Sequence, residues 1–209
     1  MTVVQDIVTE SIIGVRAVDT PEQLSAIRHP GCAAAIWQRQ PLAGFQAWLD
    51  GLDADCLPMG QMVLPSGTVR NEVLQICKIC GTPDCPERAV LIDDIAGLAD
   101  IFAGLMDTRW LRLRLDVVNT NACRRFHIDS VIARLICTYR GLGTQYGIST
   151  DGTEPRQIFT APTGAPILLR GKLSPECQQS NFRHRSPPIE GTGQTRLVLV
   201  LDVVDGPED

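Results

Sequence analysis

His127 and Asp129 stand two residues apart in the run Cys123-Arg124-Arg125-Phe126-His127-Ile128-Asp129. In a strand, residues i and i+2 point to the same face. An imidazole and a carboxylate so placed can grip one metal ion. A second histidine, His184, lies downstream in Asn181-Phe182-Arg183-His184-Arg185-Ser186-Pro187-Pro188, and the whole chain has three histidines. Two imidazoles and one carboxylate make a facial triad, a ligand set that suits non-haem Fe(II) and leaves coordination positions open. The same donors can also take Zn, Mn or Ni. The rival reading is of ordinary histidines, satisfied in the core or at the surface.

Arg196 follows at the head of the apolar run Leu197–Leu201. In a jelly roll, His184 and Arg196 can lie on neighbouring antiparallel strands and face one cavity. An arginine there can hold a carboxylate in a bidentate fork; otherwise it is a strand-edge arginine. Tyr139 and Thr144 are candidates to line the same cavity, although both residue types are common in strands. Arg185 can pair with Asp129 or a substrate anion, or stand solvated. Arg134 lies at odd spacing from Tyr139, so the two face opposite sides of their strand.

The elements that must position these residues change character along the chain. Thr20-Pro21-Glu22-Gln23 carries the residues of a helix start with a capping box. Cys32–Trp37 reads as a short buried strand. Leu42–Leu52 places Leu42, Phe45, Leu49 and Leu52 on one helical face. Asp53–Thr68, with two prolines and two glycines, reads as loop. Val69–Cys80 is a candidate helix, and Asp93 or Asp94 caps another that runs to Met106. Beyond it Trp110–Val117 alternates strictly, as a half-buried strand should. Val131–Tyr139, with His127-Ile128-Asp129 opening it, is a second strand. Gln157–Thr160 and Ile167–Leu169 are short strands, and Leu197–Leu201 is a central one. Such strands with Gly-rich connections suggest a sandwich or small barrel. The expected organisation is a single α+β domain over residues 1–209: a mainly helical part over 1–108, then a β core over 109–205.

Cys77-x-x-Cys80-Gly81 followed by Cys85 forms a second constellation. Three thiolates can serve a structural zinc, with Cys56 or Asp84 as a fourth ligand. A reversible disulfide and plain thiols are the alternatives, since there is no second Cys-x-x-Cys. Cys32, Cys123, Cys137 and Cys177 are scattered and read as small buried hydrophobes. His29 reads as a surface residue.

The 209 residues are 44% hydrophobic and 21% charged, as in an ordinary globular protein. A net charge of −5 argues against a nucleic-acid partner. No apolar run approaches the roughly 18 residues of a membrane span. The first residues lack a secretory pattern, which points to the cytoplasm. The eight cysteines then read as thiols or metal ligands.

The set His127, Asp129, His184 and Arg196 resembles the pattern of the Fe(II)/2-oxoglutarate-dependent dioxygenases over about residues 110–203. The resemblance implies a double-stranded β-helix (jelly roll), Fe(II) on the triad, and Arg196, with Tyr139, on the cosubstrate carboxylate. A closer likeness lies in CRRFHID (123–129), RLICTYRGLGT (134–144) and HRSPP (184–188). These look like an uncharacterised bacterial family filed as a domain of unknown function. That family's gene neighbourhoods imply a link to zinc-responsive operons and metallochaperone GTPases. Two further readings stand beside the oxygenase. One is a non-catalytic zinc-binding protein on the same scaffold; the other is a structural β-sandwich with an incidental motif. A small molecule and a protein are both open as substrates.

Overall fold

The computed structural model describes residues 14–150, 152–175 and 181–207. Among them, ten strands form two sheets. The large sheet contains β1 (Val15–Val18), β2 (Ala34–Trp37), β3 (Gly60–Pro65), β4 (Trp110–Val118), β5 (Ala133–Arg140), β8 (Pro166–Arg170) and β10 (Arg196–Val204). Its order is β1-β2-β8-β5-β10-β4-β3. Only the β1–β2 pair is parallel. The small sheet is antiparallel, with β6 (Gln145–Ile148) between β7 (Phe159–Thr160) and β9 (Phe182–Arg185). The protein is therefore mixed α+β with one large, mainly antiparallel sheet.

Three α-helices, α1 (Ala43–Gly51), α2 (Val69–Ile79) and α3 (Pro86–Met106), cover one face of the large sheet. Strand parity explains the packing. Leu111, Leu113 and Leu115 of β4 are fully buried, with Arg112, Arg114 and Asp116 alternating between them. Leu197, Leu199 and Leu201 of β10 join them, with Leu135, Cys137 and Tyr139 of β5. Against these pack Leu91, Ile95, Leu98 and Phe102 of α3. Each such side chain contributes about 1.5–3 kcal/mol by leaving water. The opposite parity of β5 and β10 places Ile136, Val198 and Val200 in a second apolar cluster with Tyr146 and Phe182 of the small sheet. The candidate site lies in this layer. No helix among the described residues is long and apolar enough to cross a membrane.

Several elements differ from their sequence reading. Asp53–Thr68 is not all loop, because β3 pairs with β4 along the sheet edge. Its glycine and proline sit at the strand ends, where an edge strand tolerates them, and only Leu64 is buried. The long helix starts at Pro86, with Cys85 as its cap residue, so Asp93 and Asp94 lie inside it. The first 108 residues supply all three helices but also three strands of the large sheet. Cys32 and Cys137 are buried, as expected, whereas Cys123 is exposed. Cys177 lies outside the described residues. His29 is exposed.

Candidate metal centre

His127 and Asp129 belong to the connection between β4 and β5 rather than to a strand. The local chain is nonetheless extended, because His127 forms a single β-bridge with His184: each backbone N–H donates to the other's carbonyl at 3.0 Å. This bridge joins the two parts of the motif. The imidazole centroids lie 4.6 Å apart. One ligand atom from each of His127, Asp129 and His184 falls within 4.8 Å of the others, and among the described residues no other group of this kind occurs.

The donor atoms suit a metal ion. His127 Nδ1 lies 2.8 Å from the Arg125 carbonyl. A carbonyl only accepts, so Nδ1 carries the proton and Nε2 keeps its lone pair for a ligand. Asp129 Oδ1 accepts from Arg134 Nη1 at 2.5 Å. Asp129 Oδ2 is buried without a hydrogen-bond partner. His184 Nε2 stands 3.0 Å from it, but off a hydrogen-bonding direction. A buried carboxylate oxygen left bare beside two imidazoles is what a cation would satisfy. Burial pushes the Asp129 carboxyl up, but the two imidazoles and the Arg134 charge outweigh it and hold it well below the usual carboxylate range. Burial holds the His184 ring below its ordinary value and keeps it neutral, as a ligand must be. The Asp129 carboxylate raises His127 instead.

Behind the triad, Arg134 places its Nε and Nη2 on both oxygens of Asp202, at 2.6 and 2.8 Å. Asp202 thus anchors Arg134, and Arg134 anchors Asp129. Neither partner was singled out as a site residue from the sequence. The signal was present, since each charge sits in an apolar strand run and a buried charge demands a partner.

Arg196 lies on the same face of the large sheet as Arg134 and Asp202. It is 2% exposed. Nε donates to the Leu142 carbonyl at 2.6 Å, Nη1 to Ser186 Oγ at 3.4 Å, and Nη2 to Thr138 Oγ1 at 3.2 Å. Among the described residues no carboxylate pairs with it, and burial pushes its pKa down to about 10. Ser186 is two residues beyond His184, and Thr138 is four beyond Arg134, so the same two segments serve triad and arginine. His184 and Arg196 are not on neighbouring strands, however. β9 pairs with β6 in the small sheet, and β10 belongs to the large one. The chain changes sheets between them through Pro187 and Pro188 and through Gly191 and Gly193, both at positive φ.

The other expected site residues divide. Thr144 is buried and precedes the inward-facing Tyr146 by two residues. Tyr139 is not on the sheet face that carries Arg134 and Arg196. It lies on the helix-covered face, where its hydroxyl donates to Asp94 Oδ2 at 2.6 Å beside the Arg39–Asp94 pair. Thr138, one residue earlier, takes the place expected for it. Arg185 does not reach Asp129: it donates to Gln145 and Glu154 and stacks on Phe126 at 4.3 Å. The cysteine constellation does not assemble. Cys77 is buried in the core and Cys80 faces the Met59 backbone, and all seven described cysteines are free thiols.

The fold is similar to that of two plant dioxygenases for auxin oxidation. It is similar to a rice dioxygenase for auxin oxidation at 14% identity and TM-score 0.51, over 93% of this chain and 84% of that one. It is also similar to AtDAO1 of Arabidopsis thaliana, solved with 2-oxoglutarate, at 10% identity and TM-score 0.50, over 95% and 94%. Likeness at such identity speaks for the fold. No curated protein matches the chain. The chain belongs to the family described as protein of unknown function (DUF1826), whose model matches residues 18–202.

Proposed function

We propose that this protein is an Fe(II)/2-oxoglutarate-dependent oxygenase. In this reading residues 109–205 form a double-stranded β-helix, buttressed by the first 108 residues within one domain. His127 Nε2, Asp129 Oδ2 and His184 Nε2 would hold the metal. Bound there with 2-oxoglutarate and O₂, Fe(II) supplies the oxidising chemistry. The chain's own residues bind and orient. Arg134 holds Asp129 by one oxygen and leaves the other to the ion. Ile136, Val198 and Val200 make the sheet face that carries Arg134 and Arg196 apolar. Arg196 receives the distal carboxylate of 2-oxoglutarate, helped by Thr138 and Ser186.

Arg196 is the observation that carries this reading. A buried cation without a counter-ion costs several kcal/mol, and an incoming carboxylate offsets that cost. A protein that only stores zinc needs the triad and has no use for such an arginine. The test is succinate release from 2-oxoglutarate with Fe(II) and O₂, beside metal analysis. We expect one metal per chain, lost in His127→Ala, and slow succinate release even without substrate. Tightly bound zinc, with no succinate formed after exchange for Fe(II), would overturn the proposal in favour of zinc binding.

A further inference from the structure

The triad is unequally open to solvent. The His127 side chain is 32% exposed, against 10% for Asp129 and 6% for His184. His127 is thus the member of the triad that meets solvent. Beside it the surface holds an open, mostly apolar hollow of about 330 Å³, lined by Ala122, Cys123, Arg124, Arg125 and His127. Arg124 and Arg125 are exposed, and neither guanidinium meets a partner among the described residues. Their neighbour Arg185 is committed elsewhere, to Gln145, Glu154 and the Phe126 ring. Two unneutralised guanidiniums thus stand at the mouth of the site on a chain of net charge −5.

We propose that this hollow binds the anionic end, a phosphate or carboxylate, of a small-molecule substrate, with Arg124 and Arg125 as the ligating side chains. Guanidinium groups match the planar oxygen pairs of either anion. The hollow is open and mostly apolar, so it can seat the apolar part of a small molecule beside the two arginines without enclosing it. A polyanion is disfavoured, because the attraction of two arginines is local within a Debye length of about 8–10 Å while the rest of the chain repels it. That the bound molecule is the substrate of the centre rests on the oxygenase reading; that the hollow binds an anion does not.

The test uses the full chain and three probes of one shape: phenyl phosphate, benzoate and the neutral benzyl alcohol. Binding is read by calorimetry at low ionic strength, first without metal. We expect saturable binding of at least one anion and none of benzyl alcohol. The tighter anion names the group. Arg124→Gln with Arg125→Gln should weaken it at least tenfold, while Arg109→Gln, at an exposed arginine outside the hollow, leaves it unchanged. On Mn(II)-loaded protein the probe's ring protons should broaden, and the broadening should vanish in the double variant. Equal affinity in that variant, equal binding of benzyl alcohol, or tighter binding of an oligothymidylate than of phenyl phosphate overturns the proposal. If His184→Ala, outside the hollow, loses metal yet keeps arginine-dependent anion binding, the hollow stands. If the wild type then binds the anion but releases no succinate, the oxygenase reading alone fails.

Discussion

Arg134→Met separates holding the fold from holding the metal. In the wild type one guanidinium serves two carboxylates, Asp202 by two bonds of 2.6 and 2.8 Å and Asp129 by one of 2.5 Å. The Asp202 side chain is 3% exposed, and Arg134 is its only ion-pair partner among the described residues. Removing the cation leaves a buried uncompensated carboxylate, which costs about 3–5 kcal/mol. That is a large part of a total stability of about 5–15 kcal/mol. The urea midpoint should fall by about 1–2 M. Metal affinity should fall about 10–100-fold, the usual effect of losing a residue that orients a ligand. The double variant Arg134→Met with Asp202→Leu replaces the buried pair with apolar side chains, which is often close to neutral. Most of the stability should return. The metal defect should remain, because Asp129 still lacks its anchor. Urea melts and Co(II) titrations of all three proteins read the two quantities separately. Full recovery of metal affinity in the double variant would refute the reasoning, since the single variant's defect would then be only loss of fold.

Arg196→Met should abolish the protection that 2-oxoglutarate gives the metal-loaded protein against heat. At a ligand concentration of about one hundred times Kd that protection is about 2.7 kcal/mol. For a chain of this size it raises Tm by about 5–10 °C in differential scanning calorimetry. Tyr139→Phe should cost about 0.5–1.5 kcal/mol of stability, because Asp94 keeps its pair with Arg39. It should leave the KM for 2-oxoglutarate unchanged; a rise in KM would return Tyr139 to the cavity. Thiol labelling at pH 8 should find Cys123 quickly and miss Cys137, whose thiol burial pushes up to about 12. The Cys137 shift also predicts that stability falls as pH rises above about 9. There the unfolded chain's thiol ionises, while the folded one keeps its proton until about 12.

The triad was legible because its chemistry demands imidazoles, and the chain has three histidines. The route by which it assembles was not. A β-bridge outside any strand fixes His127 beside His184. The jelly-roll expectation put His184 and Arg196 on adjacent strands; a change of sheet between them brings them together instead. Tyr139 shows where parity was applied without an anchor. Alternation separates Arg134 from Tyr139 correctly, but only the Arg134–Asp129 bond tells which face holds the site. Once that is known, the same rule seats Thr138 inside and Tyr139 among the helices. β3 escaped notice because an edge strand with one buried residue carries little alternation. The cysteines suggested zinc by spacing alone, and burial of Cys77 in the core removes it from any shared site.

The charges explain why this face of the sheet tolerates so many ionic groups in an apolar layer. Asp129 and Asp202 are balanced by Arg134 and Arg196, and burial keeps His184 neutral. The balance is spatially uneven. Both carboxylates gather around Arg134, whereas Arg196 stands at the other end of β5 with only neutral oxygens for partners. The triad end is thus locally negative and the Arg196 end locally positive, each short of one opposite charge. A divalent cation answers the first deficit and a dicarboxylate reaching between the two answers the second, so that site and ligands together remain near neutrality. A metal without the dicarboxylate, or the dicarboxylate without a metal, leaves two net charges in a low-dielectric layer, where isolated charge is costly. Under the oxygenase reading such an arrangement favours joint occupancy, and this separation of charge, more than the triad alone, is what that reading requires beyond a site that only holds a metal.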